Sequence, residues 1–221
     1  MALNLDQQIS TPAQPNLGSP TPTYDQGFMA NSFGSLNVYF QKLTALFAAI
    51  SGPRGGKWIN APYGGFQDGT DQVAANTTTA YAITFDTTDF SNGVTLSNSS
   101  RLNVSQAGLY NLQFSIQFKN TTNDGQDVDV WFRKNGTNID NSNSRFHPPA
   151  RKSTGDPSHL IAALNFFVNL AANDYVEIMW RTTSTSVSIE HFAASSSPTR
   201  PAVPSVIATL SFVSNLSTET A

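Results

Sequence analysis

The stretch Gly108-Leu109-Tyr110-Asn111-Leu112-Gln113-Phe114-Ser115-Ile116-Gln117-Phe118 decides the fold. It alternates without a break. Tyr110, Leu112, Phe114, Ile116 and Phe118 fall on one face, and Asn111, Gln113, Ser115 and Gln117 on the other. Successive side chains of a strand point to opposite faces, so a period of two predicts a β-strand with one aromatic-rich face turned to a core. As a helix the same residues would scatter their apolar groups around the whole cylinder. Ala107-Gly108 supplies a turn before the strand.

Similar runs surround it. Ala80–Asp86 alternates around Tyr81, Ile83 and Phe85, and Gly93–Ser97 and Arg101–Val104 are short apolar runs. Asp127–Lys134 sets Val128, Val130 and Phe132 against Asp129, Trp131 and Arg133. Asn135-Gly136 then closes a hairpin, because both residues tolerate positive φ. Asn138–Ser158 is long, polar and broken by prolines, and reads as an exposed loop. In His159–Leu170, Leu160, Ala162, Leu164, Phe166 and Val168 share one face, and Ile161, Ala163 and Phe167 share the other. A strand apolar on both faces is central, or is covered on its second face by another subunit. Tyr175–Thr182 turns Val176, Ile178 and Trp180 inward, and Ser205–Val213 does the same with Val206, Ala208, Leu210 and Phe212. Eight or nine short strands without an intervening helix predict an all-β sandwich or jelly roll.

Ahead of the strands lie two other textures. Residues 1–30 hold Pro12, Pro15, Pro20 and Pro22 among Ser, Thr, Gln and Gly, without any period. Proline fixes φ and extends its predecessor, so this reads as an extended arm docked on a partner surface, with a disordered tail as the alternative. Residues 31–52 read as a helix capped by Asn31 or Ser32 and stopped by Gly52-Pro53. Phe33, Leu36, Phe40, Leu43, Phe47 and Ile50 recur at spacings of three and four, a heptad seam with Phe at one core position and Leu, Leu, Ile at the other. The helix is apolar nearly all round and is expected to be buried, either on its own domain or in a short trimeric bundle. Residues 53–78 read as a linker with one short strand, 79–214 as the β domain, and 215–221 as a tail.

Composition narrows the function. Charged residues make up 12% of the 221-residue chain, and Asn, Ser, Thr and Gln supply the polarity, which favours strands and turns over solvated helices. A net charge of −3 offers no field for nucleic acid. Cysteine is absent, so no disulfide framework or thiolate chemistry is expected. No basic-then-apolar leader and no membrane-spanning run are read, and synthesis in a cytoplasm is expected. His147, His159 and His191 lack metal-ligand spacing and read as surface histidines. Asp124, Asp127 and Asp129 form the densest acidic group. Calcium there is weighed against a solvated strand end with Asp129 paired to Arg133, and the strand end is preferred. No nucleophile–base–acid pattern is found, acids being sparse near the histidines, so neither catalysis nor a cofactor is expected. Trp131, with Ile161, Phe167, Tyr175 and Met179, projects from the second faces of its strands. These residues are read as a subunit interface or a ligand face.

Three stretches carry a resemblance. Ala107-Gly108-Leu109-Tyr110 resembles the Gly-x-Tyr/Phe strand of C1q/TNF-like jelly rolls. Phe132-Arg133-Lys134-Asn135-Gly136 resembles the hairpin that follows there, and Leu170 to Val176 their Leu-x-x-Gly-Asp-x-Val turn, with Asn173 in the glycine place. The whole chain also resembles structural proteins of tailed bacteriophages, particularly those of cyanobacteria and other aquatic hosts. Ala61-Pro62-Tyr63-Gly64, Thr79–Asp86 and Asp127–Gly136 have that character. The resemblance implies a homotrimeric virion protein, assembled in the host cytoplasm and attached to other virion proteins through residues 1–52. It would be a capsid decoration or cement protein or a head fibre. The alternative it implies is a tail or fibre tip that binds host-surface glycans.

Overall fold

A computed structural model describes residues 12–17, 19, 22–51 and 61–214, with side chains at 49–51 left aside. The chain divides into two units, residues 1–57 and 58–221, taken here one at a time.

The first unit is built on one helix, α1 (Gln26–Ser51). It starts five residues earlier than the apolar seam predicts. Asp25 is the cap: its Oδ1 accepts from the Phe28 N–H at 3.0 Å, and its carbonyl accepts from Met29 N–H at 3.1 Å. Asn31 and Ser32, the predicted caps, lie inside the helix, because a side chain that satisfies the free N-terminal amides sets the start, not the first seam residue. At 26 residues the helix is about 39 Å long, not short. The predicted Gly52-Pro53 stop lies outside the described residues.

The second unit is an all-β sandwich. In chain order its strands are β1 (Tyr63–Asp68), β2 (Gln72–Val73), β3 (Tyr81–Ala82), β4 (Thr87–Asn92), β5 (Val94–Ser97) and β6 (Arg101–Val104). Then come β7 (Gly108–Asn120), β8 (Val128–Lys134), β9 (Thr137–Asn138), β10 (Ser144–Phe146) and β11 (Ser158–Leu170). The last are β12 (Tyr175–Thr182), β13 (Val187–Ile189), β14 (Ser195–Ser196), β15 (Thr199–Arg200) and β16 (Val206–Ser214). The first sheet runs β2-β13-β7-β16-β1-β4, with β11 along the other side of β7. The second runs β10-β8-β12-β6-β5, with β3 beside β12 and β9 beside β8.

β7 is the spine of the first sheet. It pairs with β11 over its full length and with β16 over most of it. Its burial alternates as the sequence predicts, and Tyr110, Leu112, Ile116 and Phe118 are sealed from solvent. Gly108 begins the strand and does not merely turn into it. A Cβ there would meet the Phe212 ring and come within 2.8 Å of the Ser214 carbonyl, so glycine lets β16 approach. Aromatic contacts join the two sheets: Phe132 stacks on Phe166 at 4.6 Å between centroids, and Phe118 lies 6.1 Å from Trp180. Burial pushes the Tyr110 phenol up to about 12, and its hydroxyl donates to the Gln106 carbonyl at 2.7 Å.

The core residues expected from the sequence are Tyr110, Leu112, Phe114, Ile116, Phe118, Val130, Phe132, Val176, Ile178, Trp180, Leu210 and Phe212, and all are buried. Leu164 and Phe166 are half-buried, because β11 is not central. Among the described residues it pairs with β7 alone and forms an edge thirteen residues long. The supposed linker also belongs to the sandwich, since β1 lies between β16 and β4 and its Phe66 is sealed in the core. The loop predicted at Asn138–Ser158 contributes β10, paired with β8.

The two turn signals interlock. Asn135 and Gly136 take φ of 49° and 83°, and Asn173 takes 69°, the left-handed region its glycine-like place requires. The Asn135 side chain then bridges the turns. It donates to Asp174 Oδ1 at 2.6 Å and accepts from Tyr175 N–H at 3.0 Å.

Candidate functional site

Three surfaces carry the residues singled out in the sequence. The first is the seam of α1. Phe33, Phe40 and Phe47 are 63, 59 and 64% exposed at seven-residue intervals, while Leu36 and Leu43 are half-buried. The Ile50 side chain lies outside what is described. Within the same unit Ala13, Pro15 and Asn16 of the arm border a groove on Asn31, Gly34, Ser35, Val38 and Lys42. At about 100° per residue those positions lie on the flank opposite the phenylalanine stripe, so Ala13, Pro15 and Asn16 border the helix away from the seam.

The second surface is the outer face of the first sheet. The register places Phe167, Asn111 and Ser211 in one row across β11, β7 and β16. The next rows are Asn165, Gln113 and Thr209, then Ala163, Ser115 and Ile207. Ile161, Phe167 and Ile207 are 62, 54 and 44% exposed. Among them Asn111 Oδ1 is buried with no hydrogen-bond partner, a costly condition for an amide oxygen. Beside this face runs the long free edge of β11. Natural sheets usually shorten, charge or cover such an edge.

The third surface is the outer face of the second sheet. Trp131 and Tyr175 lie here, so the four residues read as one interface or ligand face are divided between opposite sides of the sandwich. Neither strand's spacing shows which sheet the other joins, and sequence alone therefore merges them. Met179, also expected outside, is buried in register with Trp131. Glu177 is buried, accepting from Arg133 Nε at 2.9 Å and from Ser100 Oγ at 3.0 Å. Arg101 lies over the Tyr175 ring at 4.4 Å. Its Nε is 3.6 Å from Glu177, within reach of its charge but beyond a hydrogen bond.

Asp129 is not paired with Arg133. It is buried and accepts from Arg145 Nε at 2.8 Å and from Arg181 Nε at 2.9 Å. The Arg145 hydrogen bond, opposed by burial and reinforced by Arg181, holds its carboxyl below the usual range. Cross-strand register explains the partners: Arg181 and Arg145 both face Asp129, while Arg133 faces Glu177. Trp131 Nε1 donates to Asn138 Oδ1 at 2.8 Å, and the two border a cleft of about 320 Å³. Ile139, Asp140, Asn141 and Asn143 form its rim, and Arg181 its far side.

His147 and His159 are exposed, as expected, and His191 is half-buried, but acids are not sparse around them. His147 meets Asp127 at 2.8 Å, His159 meets Glu190 at 2.8 Å, and His191 meets Asp71 at 2.6 Å. These partners are 20 to 120 residues away in sequence, beyond the reach of a local motif. Among the described residues no Ser or Thr hydroxyl is hydrogen-bonded to an imidazole, and no three acidic or histidine side chains converge on a point that could hold a metal ion. No described helix is long and apolar enough to cross a membrane. No protein-family model matches the chain, and no curated protein matches it.

Proposed function

We propose that this chain is a non-enzymatic structural protein of a tailed-phage virion, a homotrimer with a C1q/TNF-like jelly-roll head attached through its arm and helix. The observation that carries the oligomer is the phenylalanine seam. Three large aromatics at heptad spacing, each more than half exposed, form an apolar stripe of the kind that neighbouring helices cover in a bundle. The outer face of the first sheet supports the same reading, since a second copy would cover the exposed Ile161, Phe167 and Ile207.

Two further features support the jelly roll. Successive neighbours in the first sheet include β4, β1, β16, β7 and β11, and in the second β5, β6, β12, β8 and β10. This order interleaves the two halves of the chain, as the nested Greek keys of a jelly roll do. Two of the three stretches that carry the resemblance, 132–136 and 170–176, also form turns bonded to each other. The virion role rests on that resemblance, and decoration or cementing of a capsid is the preferred site. A three-fold protein matches local three-fold positions, and an arm can reach neighbouring capsomers.

Counting copies in purified particles tests the role. Hundreds per particle are expected for a capsid protein, a few to a few dozen would indicate tail or fibre, and absence from particles would refute the virion reading. Removal of residues 1–30 is expected to abolish attachment to particles while trimers persist.

A further inference from the structure

We infer that the cleft beside Trp131 binds a neutral pyranose sugar, using the indole as a platform and the 138–143 loop as a set of hydroxyl ligands. The inference concerns the sandwich itself and holds wherever the protein is displayed. A sugar ring has an apolar C–H face and a rim of hydroxyl pairs. A site for it needs an aromatic surface held in place, with polar groups arrayed beside it.

Each requirement is met by a different part of the site. Trp131 is half-exposed, and its Nε1–H is fixed on Asn138 Oδ1, which sets the orientation of the indole. Asp140, Asn141 and Asn143 are exposed where they line the cleft, and their side chains make no hydrogen bond among the described residues. Such groups meet water or a ligand, and planar amides and carboxylates grip adjacent hydroxyls well. The loop that carries them is braced from below by buried Ser142. Its Oγ donates to the Ile139 carbonyl at 2.7 Å and accepts from the Phe132 N–H at 3.1 Å. Asn141 holds φ of 59°, a left-handed turn that aims the rim residues. A preformed rim costs little ordering entropy on binding.

Charge selects among sugars. Asp129 beneath the cleft is already engaged by two guanidinium groups, and Arg181 spends its Nε there. Asp140 is the carboxylate left open at the rim. Arg181 keeps its Nη groups as donors for sugar hydroxyls on the same cleft, while an acidic sugar would also bring its carboxylate against Asp140, in a chain of net charge −3. Neutral hexoses and N-acetylhexosamines are therefore the fitting class. At about 320 Å³ the cleft is at the small end of ligand sites and suits the end of a glycan.

Saturation-transfer NMR on the full chain tests this with methyl glucoside, methyl galactoside, methyl mannoside and N-acetylglucosamine, and with glucuronic acid and N-acetylneuraminic acid as acidic counterparts. At least one neutral sugar is expected to bind with millimolar affinity. Trp131→Ala and Asp140→Ala are each expected to weaken it about tenfold or more. Asp140 is on an exposed loop, so its variant keeps the fold and reads the site even where the tryptophan variant does not fold. Absence of saturation transfer from every neutral sugar, binding confined to the acidic sugars, or binding unchanged in the Asp140 variant would overturn the assignment.

Discussion

The two outer faces of the sandwich solve the same problem differently. On the second sheet, buried Asp129 and Glu177 are matched within the chain: Arg145 and Arg181 hold one, Arg133 and Ser100 the other. Its central apolar residue, Met179, is covered. On the first sheet, Ile161, Phe167 and Ile207 stand open, and Asn111 Oδ1 has no donor. Among the described residues each face has one buried polar atom without a hydrogen bond, Arg101 Nε on the second sheet and Asn111 Oδ1 on the first, but Arg101 Nε lies 3.6 Å from the Glu177 carboxylate, whereas Asn111 Oδ1 sits beside exposed apolar side chains. The lesson is that exposed apolar area alone is a weaker sign of a partner than apolar area next to an unsatisfied polar atom in the same row of the sheet. Ordinary surfaces carry the former, while the latter costs stability for as long as the buried atom lacks a hydrogen bond.

That contrast can be broken from either side. The largest effect is expected on the closed face. Arg133→Ala leaves the Glu177 carboxylate buried with Ser100 and a distant Arg101, and should cost about 3 kcal/mol of folding stability. Urea denaturation measures the loss, and the oligomeric state should not change. Phe167→Asp on the open face should act in the opposite way. Association weakens by about 2 kcal/mol at each copy of the site, while the fold of the single chain is nearly unaffected. Sedimentation beside denaturation separates the two.

Acid should act selectively on the closed face. The carboxyl of Asp129 titrates lower in the folded chain than in the unfolded one, so the unfolded chain binds more protons between the two values. Its contribution is complete above the ordinary carboxylate range and is lost as pH falls through the depressed folded value. Denaturation midpoints of the native chain should therefore fall below about pH 4, and Asp129→Asn should flatten that part of the profile. The smallest effect is expected from Gln113→Leu, in the middle of the open face. Loss of a hydrogen bond across subunits should cost about 1 kcal/mol of trimer stability. An unchanged trimer would mean that Gln113 meets only water.

How far the sequence could be read differs between these regions for a physical reason. Alternation is a property of one strand, so the buried rows of β7, β8, β12 and β16 were legible from Tyr110 to Phe212. The Asn135-Gly136 and Asn173 turns were legible because positive φ has its own residue preferences. Pairing is a property of two strands and left no local mark. Thr87–Asn92 has no apolar period and is held by its register on β1, so it passed unread. Ile83 and Phe85 are buried as their spacing implied, yet the ladder covers only Tyr81-Ala82. The helix start was misplaced because Asp25, a capping side chain, precedes the seam that gave the helix away. The candidate faces were merged for the same reason: Trp131 and Phe167 look alike in their strands, and only sheet order places them on opposite sides.

The proposed trimer is the claim on which the seam, the open face and the free β11 edge converge. Sedimentation equilibrium of the full chain at micromolar concentration measures it directly. A particle of three chain masses is expected, each chain being 23.8 kDa, and it should dissociate when Phe40 is replaced by Asp. A stable monomer of the unaltered chain at that concentration would contradict it.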